Sequence, residues 1–319
     1  MKTSIYTLIS ISIFTLSCLS CSSDDPEVAA NEPRLTNYIY KTYNVSNTPN
    51  TVLDSTNYSI EDNKIVSASG LNLETSFQRN STYTYLDDKI DKIQSFSNGL
   101  LTRVQSFTYD ANDDLIAYLS ESIDTDNQSS SFEKHEFTHT TDTIFSSTTR
   151  SSDGINFDTN VSEAKIVLDA NNNRTYYEMY SHFNEETTFE INTYDANSNL
   201  INEAKYLILD NGNEVLSFEN NVATNNSENL FYSINETTFT RKNLMLLYHL
   251  QSNAVNTING KSITPNAIIT FASTWGNSFA TFEILNTTND TGLTIYSDFK
   301  TTIAGNLISR FSQDYSIQY

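Results

Sequence analysis

The feature that most constrains the fold is a short segment that recurs along the middle of the chain. It reads YDANDDL at 109–115, YDANSNL at 194–200 and LDANNNR at 168–174, with looser copies LDDKI at 86–90 and LDNGNEV at 209–215. Each copy places an apolar or aromatic residue before Asp and a polar stretch, and usually an apolar residue after it. This is the pattern of a β-hairpin, in which a tight polar turn joins two strands.

The residues of the segment fit a turn for physical reasons. Asp at the start can accept backbone N–H hydrogen bonds, and Asn or Asp near the end tolerates the left-handed conformation. Further turn signals fall between the copies at intervals of roughly ten to fifteen residues, and segments such as 187–194 alternate between polar and apolar residues. The sequence therefore predicts an all-β protein, an antiparallel meander of hairpins that forms a strongly twisted sheet or an open barrel-like structure.

The repeat fades after about residue 229. The run LMLLYHL at 244–250 fits either a buried strand or one short helix, because its periodicity does not distinguish them. Strands are predicted again at 267–271, 279–285, 293–299 and 307–311. We therefore predict one all-β domain over 36–319, with YD-like repeats at about 83–215 and C-terminal strands at about 229–319. A separate C-terminal domain is the alternative.

The repeated segment resembles the YD repeat of the Rhs family, whose core runs Tyr-Asp-x-x-Gly-x-Leu. The copy that begins at Tyr194 differs mainly at Ser198, where the family has Gly. The resemblance covers less than half of the chain, and the few copies do not support the large shells that Rhs proteins build. Small lipoproteins of the Bacteroidota with scattered YD-like units are the closer resemblance.

The N-terminus predicts export and lipidation. Residues 1–20 carry Lys2 and a short apolar stretch, which is typical of a signal peptide rather than a membrane span. The residues before Cys21 resemble the lipobox of bacterial lipoproteins, and Cys18 is the alternative lipidation site. The SSDD segment after Cys21 resembles the surface-export signal of Bacteroidota lipoproteins. We predict a lipidated Cys21, a flexible tether over 21–35, and an outer-membrane location with exposure at the cell surface.

The net charge of the chain limits its possible partners, and its cysteine content limits how the domain can be stabilised. The formal net charge of −21 disfavours nucleic acid, because phosphates would be repelled. If Cys21 is lipidated and Cys18 leaves with the signal peptide, no cysteine remains to form a disulfide, so a hydrophobic core must hold the domain. The predicted partners are the membrane, through the lipid, and a glycan or an envelope protein, and no cofactor is predicted.

A HExxH motif at His135, Glu136 and His139 matches the signature of zinc metallopeptidases. Two His residues four apart can bind one ion on a helix, whereas on a strand they stand about 13 Å apart. The neighbouring residues are polar and β-branched, so the segment is predicted to be a strand. Calcium loops are a further alternative for the repeated Asp segments, although these lack the Gly that an EF-hand loop requires.

The sequence favours a surface lipoprotein without catalytic activity that binds a glycan or an envelope protein. Trp275, in a probable turn, is the candidate ligand-binding residue, because aromatic rings stack on sugars, and its alternative role is packing in the core. Two other hypotheses remain. One is a zinc-dependent hydrolase that uses the HExxH motif, and the other is a structural envelope protein without a ligand.

Overall fold

A computed structural model describes residues 34–45, 51–249, 264–275, 278–290, 293–303 and 306–318. The predicted signal peptide, Cys21 and most of the predicted tether lie outside these residues. The strands are β1 (Arg34–Asn44), β2 (Thr51–Glu61), β3 (Lys64–Asn72), β4 (Gln78–Leu86), β5 (Lys89–Ser97), β6 (Leu100–Tyr109), β7 (Leu115–Asp124), β8 (Ser129–His139), β9 (Thr143–Ser151), β10 (Thr159–Leu168), β11 (Arg174–Ser181), β12 (Glu186–Tyr194), β13 (Leu200–Ile208), β14 (Glu214–Glu228), β15 (Asn266–Trp275), β16 (Ser278–Thr288), β17 (Thr294–Ile303) and β18 (Asn306–Gln318). Two helices, α1 (Leu230–Phe239) and α2 (Arg241–His249), stand between β14 and β15.

These strands form a single closed sheet. Each strand pairs antiparallel with the next one along the chain, and β1 also pairs with β18, so that an 18-stranded barrel results. The predicted all-β antiparallel meander of hairpins is confirmed, and the sheet closes completely. Strands β15 to β18 continue the same sheet. The last two residues of the predicted tether already belong to β1, where Leu35 is buried opposite Ile317.

The meander gives the barrel two distinct ends. We call the end at which β1 begins the proximal end, and it carries the connections that leave the even-numbered strands. The opposite end, the distal end, carries the connections that leave the odd-numbered strands. All the YD-like turns except the one at 209–213 therefore lie at the proximal end.

The run at 244–250, which the sequence left undecided, contributes most of α2. Its Leu and Met residues have good helix propensity and none is β-branched. The preceding helix is capped by Asn229, whose side chain accepts a hydrogen bond from the backbone N–H of Tyr232. Leu244, Met245 and Leu246 are fully buried against the inner wall of the barrel. Among the described residues, neither helix has the length and apolar character needed to cross a bilayer.

The core lies inside the barrel. Alternate residues of the strands point inward, and a large cluster of buried side chains from β5 to β17 packs around α2. A smaller cluster joins α1 to β1, β2, β3 and β18 through residues such as Tyr38, Ile65 and Ile234. The buried apolar residues of these two clusters therefore fill the interior of the barrel.

Candidate functional site on the outer wall

The repeated turns share one geometry. In the three close copies the Asp Oδ1 accepts two backbone N–H bonds of 2.8–3.0 Å, from the residues two and four positions later. The residue three positions after Asp is left-handed in each copy, with φ between 59° and 67°. Ser198 therefore adopts the conformation that the Rhs pattern assigns to Gly, and the predicted turn chemistry is confirmed.

The copy at 209–213 is shifted by one residue from its predicted alignment. Leu209, and not Asp210, occupies the position of the leading Asp, because its N–H bonds Asn213 O and its carbonyl accepts from Gly212. Gly212 takes the left-handed position, with φ 78°. Glycine fixes the alignment here, since it adopts that conformation most easily. A further copy begins at Asn289, whose Oδ1 accepts from Leu293 N, and the sequence reading missed it.

The proximal turns hold the two helices in place. Arg241 donates to Asn173 Oδ1 and to the carbonyl of Ser198. Asn243 Oδ1 accepts from Leu115 N at 2.9 Å. The carboxylate of each leading Asp is already engaged by the N–H groups of its own turn. The turns are therefore structural supports for the plug formed by α1 and α2.

The HExxH motif lies on β8, as the sequence predicted. His135 points inward and bonds Glu133 at 3.0 Å and Thr148 at 2.8 Å, while His139 bonds the carbonyl of Leu115. Glu136 points outward and pairs with a lysine. His135 and His139 are four residue steps apart along the strand, about 13 Å, so their imidazoles cannot bind one ion. Nowhere in the described part of the chain do three His, Cys, Asp or Glu side chains converge as metal ligands.

Of two other predicted site residues, the structure describes the backbone of one and nothing of the other. Trp275 ends β15, with its backbone opposite Phe218 and Ser278, and its side chain lies outside what is described. Cys21 lies outside the described residues altogether. Ligand binding by Trp275 and lipidation of Cys21 remain predictions.

A charged group lies deep in the interior. The guanidinium of Arg174 bonds Glu190 at 2.7 Å, and both side chains are almost fully buried. The Arg174 guanidinium also lies over the ring of Tyr248, whose hydroxyl donates to Glu203 at 2.8 Å. Burial holds the pKa of the Tyr248 hydroxyl well above its usual range. Because these groups bond one another and tie α2 to the wall, we interpret them as structural.

The outer wall carries a row of apolar and charged side chains that the sequence reading did not find. We call this set the outer row, and it has one residue on each strand from β9 to β14: Phe145, Lys165, Glu178, Phe189, Tyr206 and Leu216. Each of these residues lies directly opposite the next one on the neighbouring strand. Six strands at about 4.8 Å spacing give it a length of about 24 Å. Phe145 is 49% exposed and Leu216 is 43% exposed at its two ends.

Aromatic rings stack within the outer row. Phe189 lies between Tyr206, with centroids 4.8 Å apart and planes 9° apart, and Tyr176, with centroids 6.0 Å apart. The ammonium of Lys165 lies over the outer face of the Tyr176 ring, and the Tyr176 hydroxyl donates to Glu178. The exposed Ile191, opposite Tyr176, extends the apolar surface. The rings of Tyr176 and Tyr206 therefore flank the ring of Phe189, which is only 6% exposed.

Comparisons with known proteins do not assign this chain to a family. No family model and no curated protein matches it. Among solved structures, a porin-like protein from Bacteroides uniformis is 11% identical over 89% of this chain and 96% of its own, with a TM-score of 0.34. One from Bacteroides vulgatus is 11% identical over 88% and 97%, with a TM-score of 0.35. A TcdB2-TccC3-TEV structure is 10% identical over 81% and 14%, with a TM-score of 0.26. Similarity this low carries no information about function.

Proposed function

We propose that this protein is a lipoprotein of the outer membrane, anchored through Cys21 and exposed at the cell surface, that binds a partner without catalysing a reaction. The outer row is the observation that carries the proposal. It collects aromatic and aliphatic side chains on the outer face of the wall, outside the two clusters that fill the barrel. Patches of this kind on soluble domains are typical of interaction sites.

The geometry of the row favours an envelope protein over a glycan as the partner. Sugars stack on the flat faces of aromatic rings, but Phe189 is only 6% exposed between its two neighbours. The row also presents exposed Phe145 and Leu216 and two charged groups, Lys165 and Glu178. Such a surface matches the apolar centre and the charged border of a protein interface.

Photo-crosslinking in cells tests the proposal. A photoreactive amino acid replaces Ile191, which lies beside the outer row, and in a matched chain it replaces Val104, an outward residue of β6. We expect a discrete crosslinked protein at position 191 and none at 104. The crosslinked protein is then purified, and its affinity for the intact chain is compared with that for Phe145→Ser combined with Leu216→Ser. A loss of at least tenfold is expected, which corresponds to about 1.4 kcal/mol.

Two results would contradict parts of the proposal. Equal crosslinking at 104 and 191 would remove the outer row as the binding site. Binding to a glycan array that is lost in Tyr206→Ala would replace the protein partner by a sugar. The anchoring is tested separately by incorporation of radioactive palmitate, which should disappear in Cys21→Ser.

A further inference from the structure

The exposed apolar residues of the hairpin ends gather at the distal end of the barrel. Five of the six distal hairpins described in full, from the β3–β4 to the β13–β14 connection, carry one within the turn or at its edge. They are Leu73, Phe77, Leu100, Ile155, Phe183 and Leu209. Phe183 is 89% exposed and Ile155 is 82% exposed. At the proximal end, Leu86 alone among the described turn residues is a large exposed hydrophobic.

From this asymmetry we infer that the distal hairpins form a membrane-contact surface, which inserts apolar tips into the interfacial region of a lipid bilayer. The inference rests on the proposed function in one respect, because it supposes that the lipid on Cys21 holds the barrel near a membrane. It adds a second contact with that membrane, made by protein side chains.

The spacing of the tips suits a bilayer. Neighbouring distal hairpins are two strands apart, about 10 Å, so the tips form separate points along an arc rather than one continuous patch. A fluid bilayer can accept each point independently, whereas a protein partner would need a matching pocket for each. Apolar residues on a surface also contribute to interfacial binding in proportion to the area that they bury.

The length of the predicted tether permits this orientation. Arg34 begins β1 at the proximal end, and 13 residue steps (34 minus 21) separate it from Cys21. A chain of that length reaches at most roughly 45 Å. The 11 residues of β1 are about 36 Å long. The tether must pass a wall of at most this height, because a tilted strand gives a lower wall. The lipid and the distal tips can therefore enter the same bilayer.

Charge predicts which bilayer the tips prefer. Five of the six fully described distal turns contain acidic residues, and none of the six contains Lys or Arg; the acidic residues are Glu74, Asp126, Asp153, Asp158, Glu185 and Asp210. Anionic lipids would repel them, and salt would screen that repulsion. We therefore expect stronger binding to phosphatidylcholine than to mixtures that contain phosphatidylglycerol, with the difference reduced at high salt.

Fluorescent labelling of the mature chain tests the inference. With Cys21→Ser the mature chain carries no lipid and no cysteine, so one introduced cysteine takes one environment-sensitive dye. The dye is placed at Phe183→Cys on a distal turn, or at Ala111→Cys on a proximal turn as the matched control. With phosphatidylcholine vesicles, we expect a blue shift and a severalfold rise in emission at position 183 and no change at 111.

A second variant measures the contribution of the tips. Ile155→Ser combined with Phe183→Ser should lower the partition of the chain onto phosphatidylcholine vesicles at least tenfold. Both side chains are exposed, so the fold should survive, which circular dichroism checks. No sedimentation with vesicles of either composition, or equal dye responses at 111 and 183, would overturn the inference. The crosslinking at Ile191 would be unaffected by that outcome, so failure of the inference is distinguishable from failure of the proposed function.

Discussion

Leu115 and Leu100 each stand at the first position of a strand after a hairpin turn, but at opposite ends of the barrel. Leu115, at the proximal end, is fully buried against the plug, and its N–H bonds Asn243. Leu100, at the distal end, is 58% exposed. A leucine at the same position of a strand is therefore buried in the core at the proximal end and exposed to solvent at the distal end. The proximal end maintains the fold, and the distal end leaves its apolar residues available for contact.

The largest expected effect comes from the same substitution at both ends. Leu115→Ala should lower the free energy of unfolding by about 3 kcal/mol, because it leaves a cavity in the core. Leu100→Ala should change it by less than about 0.5 kcal/mol, since the side chain is already largely in water. Urea denaturation followed by circular dichroism measures both, and equal losses would erase the distinction between the ends.

The next effect concerns the link between turns and helices. Arg241 donates to Asn173, to the Ser198 carbonyl and to the hydroxyl of Tyr232. Arg241→Ala leaves these partly buried acceptors without their donor, so we expect a loss of about 2.5 kcal/mol. Hydrogen exchange should increase in α2 before it increases in β4–β8. Unchanged exchange in α2 would show that the turns do not hold the plug.

The interior toward the distal end should supply pH-dependent stability. Hydrogen bonds from His135 and Arg150 lower the pKa of Glu133 from 4.5 to about 2. Because the folded-state pKa lies below the unfolded one, the stabilisation is complete above about pH 4.5 and is lost as the pH falls toward 2. Allowing for partial exposure, it amounts to about 2 kcal/mol.

Glu133→Gln should therefore flatten the stability profile between pH 2 and pH 4.5, as measured by urea denaturation across that range. Glu136→Gln, on the outer face of the same strand, is the control and should leave the profile as it is. A profile that stays equally steep in Glu133→Gln would assign the acid sensitivity to other carboxylates.

The smallest effect compares two turns. Asp195→Ala removes the acceptor of two backbone N–H groups in a proximal turn, and we expect a loss of about 1 kcal/mol, similar to that of a lost helix cap. Asp210→Ala, in the shifted distal turn, should cost less than about 0.5 kcal/mol, because the leading position there belongs to Leu209. Thermal unfolding of both variants would test this, and a greater loss in Asp210→Ala would refute the shifted alignment.

The sequence predicts the features that depend on residues close to one another in the chain. Asp110 and Asn112 belong to one turn, so their pattern gives the hairpin, and β-branched neighbours place the HExxH motif on a strand. The outer row depends on strand register instead. Phe145, Lys165 and Phe189 are about twenty residues apart in the chain, and bulges such as that between Lys205 and Tyr206 shift the pairing. Closure of the barrel depends on the pairing of β1 with β18, which no local pattern encodes.

That pairing also bears on how the export proposed for this protein would proceed. Arg34 and Leu35 lie opposite Gln318 and Ile317 in the pairing of β1 with β18, so the seam joins residues that are separated by almost the whole chain. Pairing between residues so far apart forms late in folding, because the chain loses loop-closure entropy before the new contacts stabilise it. The barrel cannot be sealed until the last strand has been synthesised. A chain that lacks its last strand therefore stays open along this seam, as passage through an export channel would require under the proposed function.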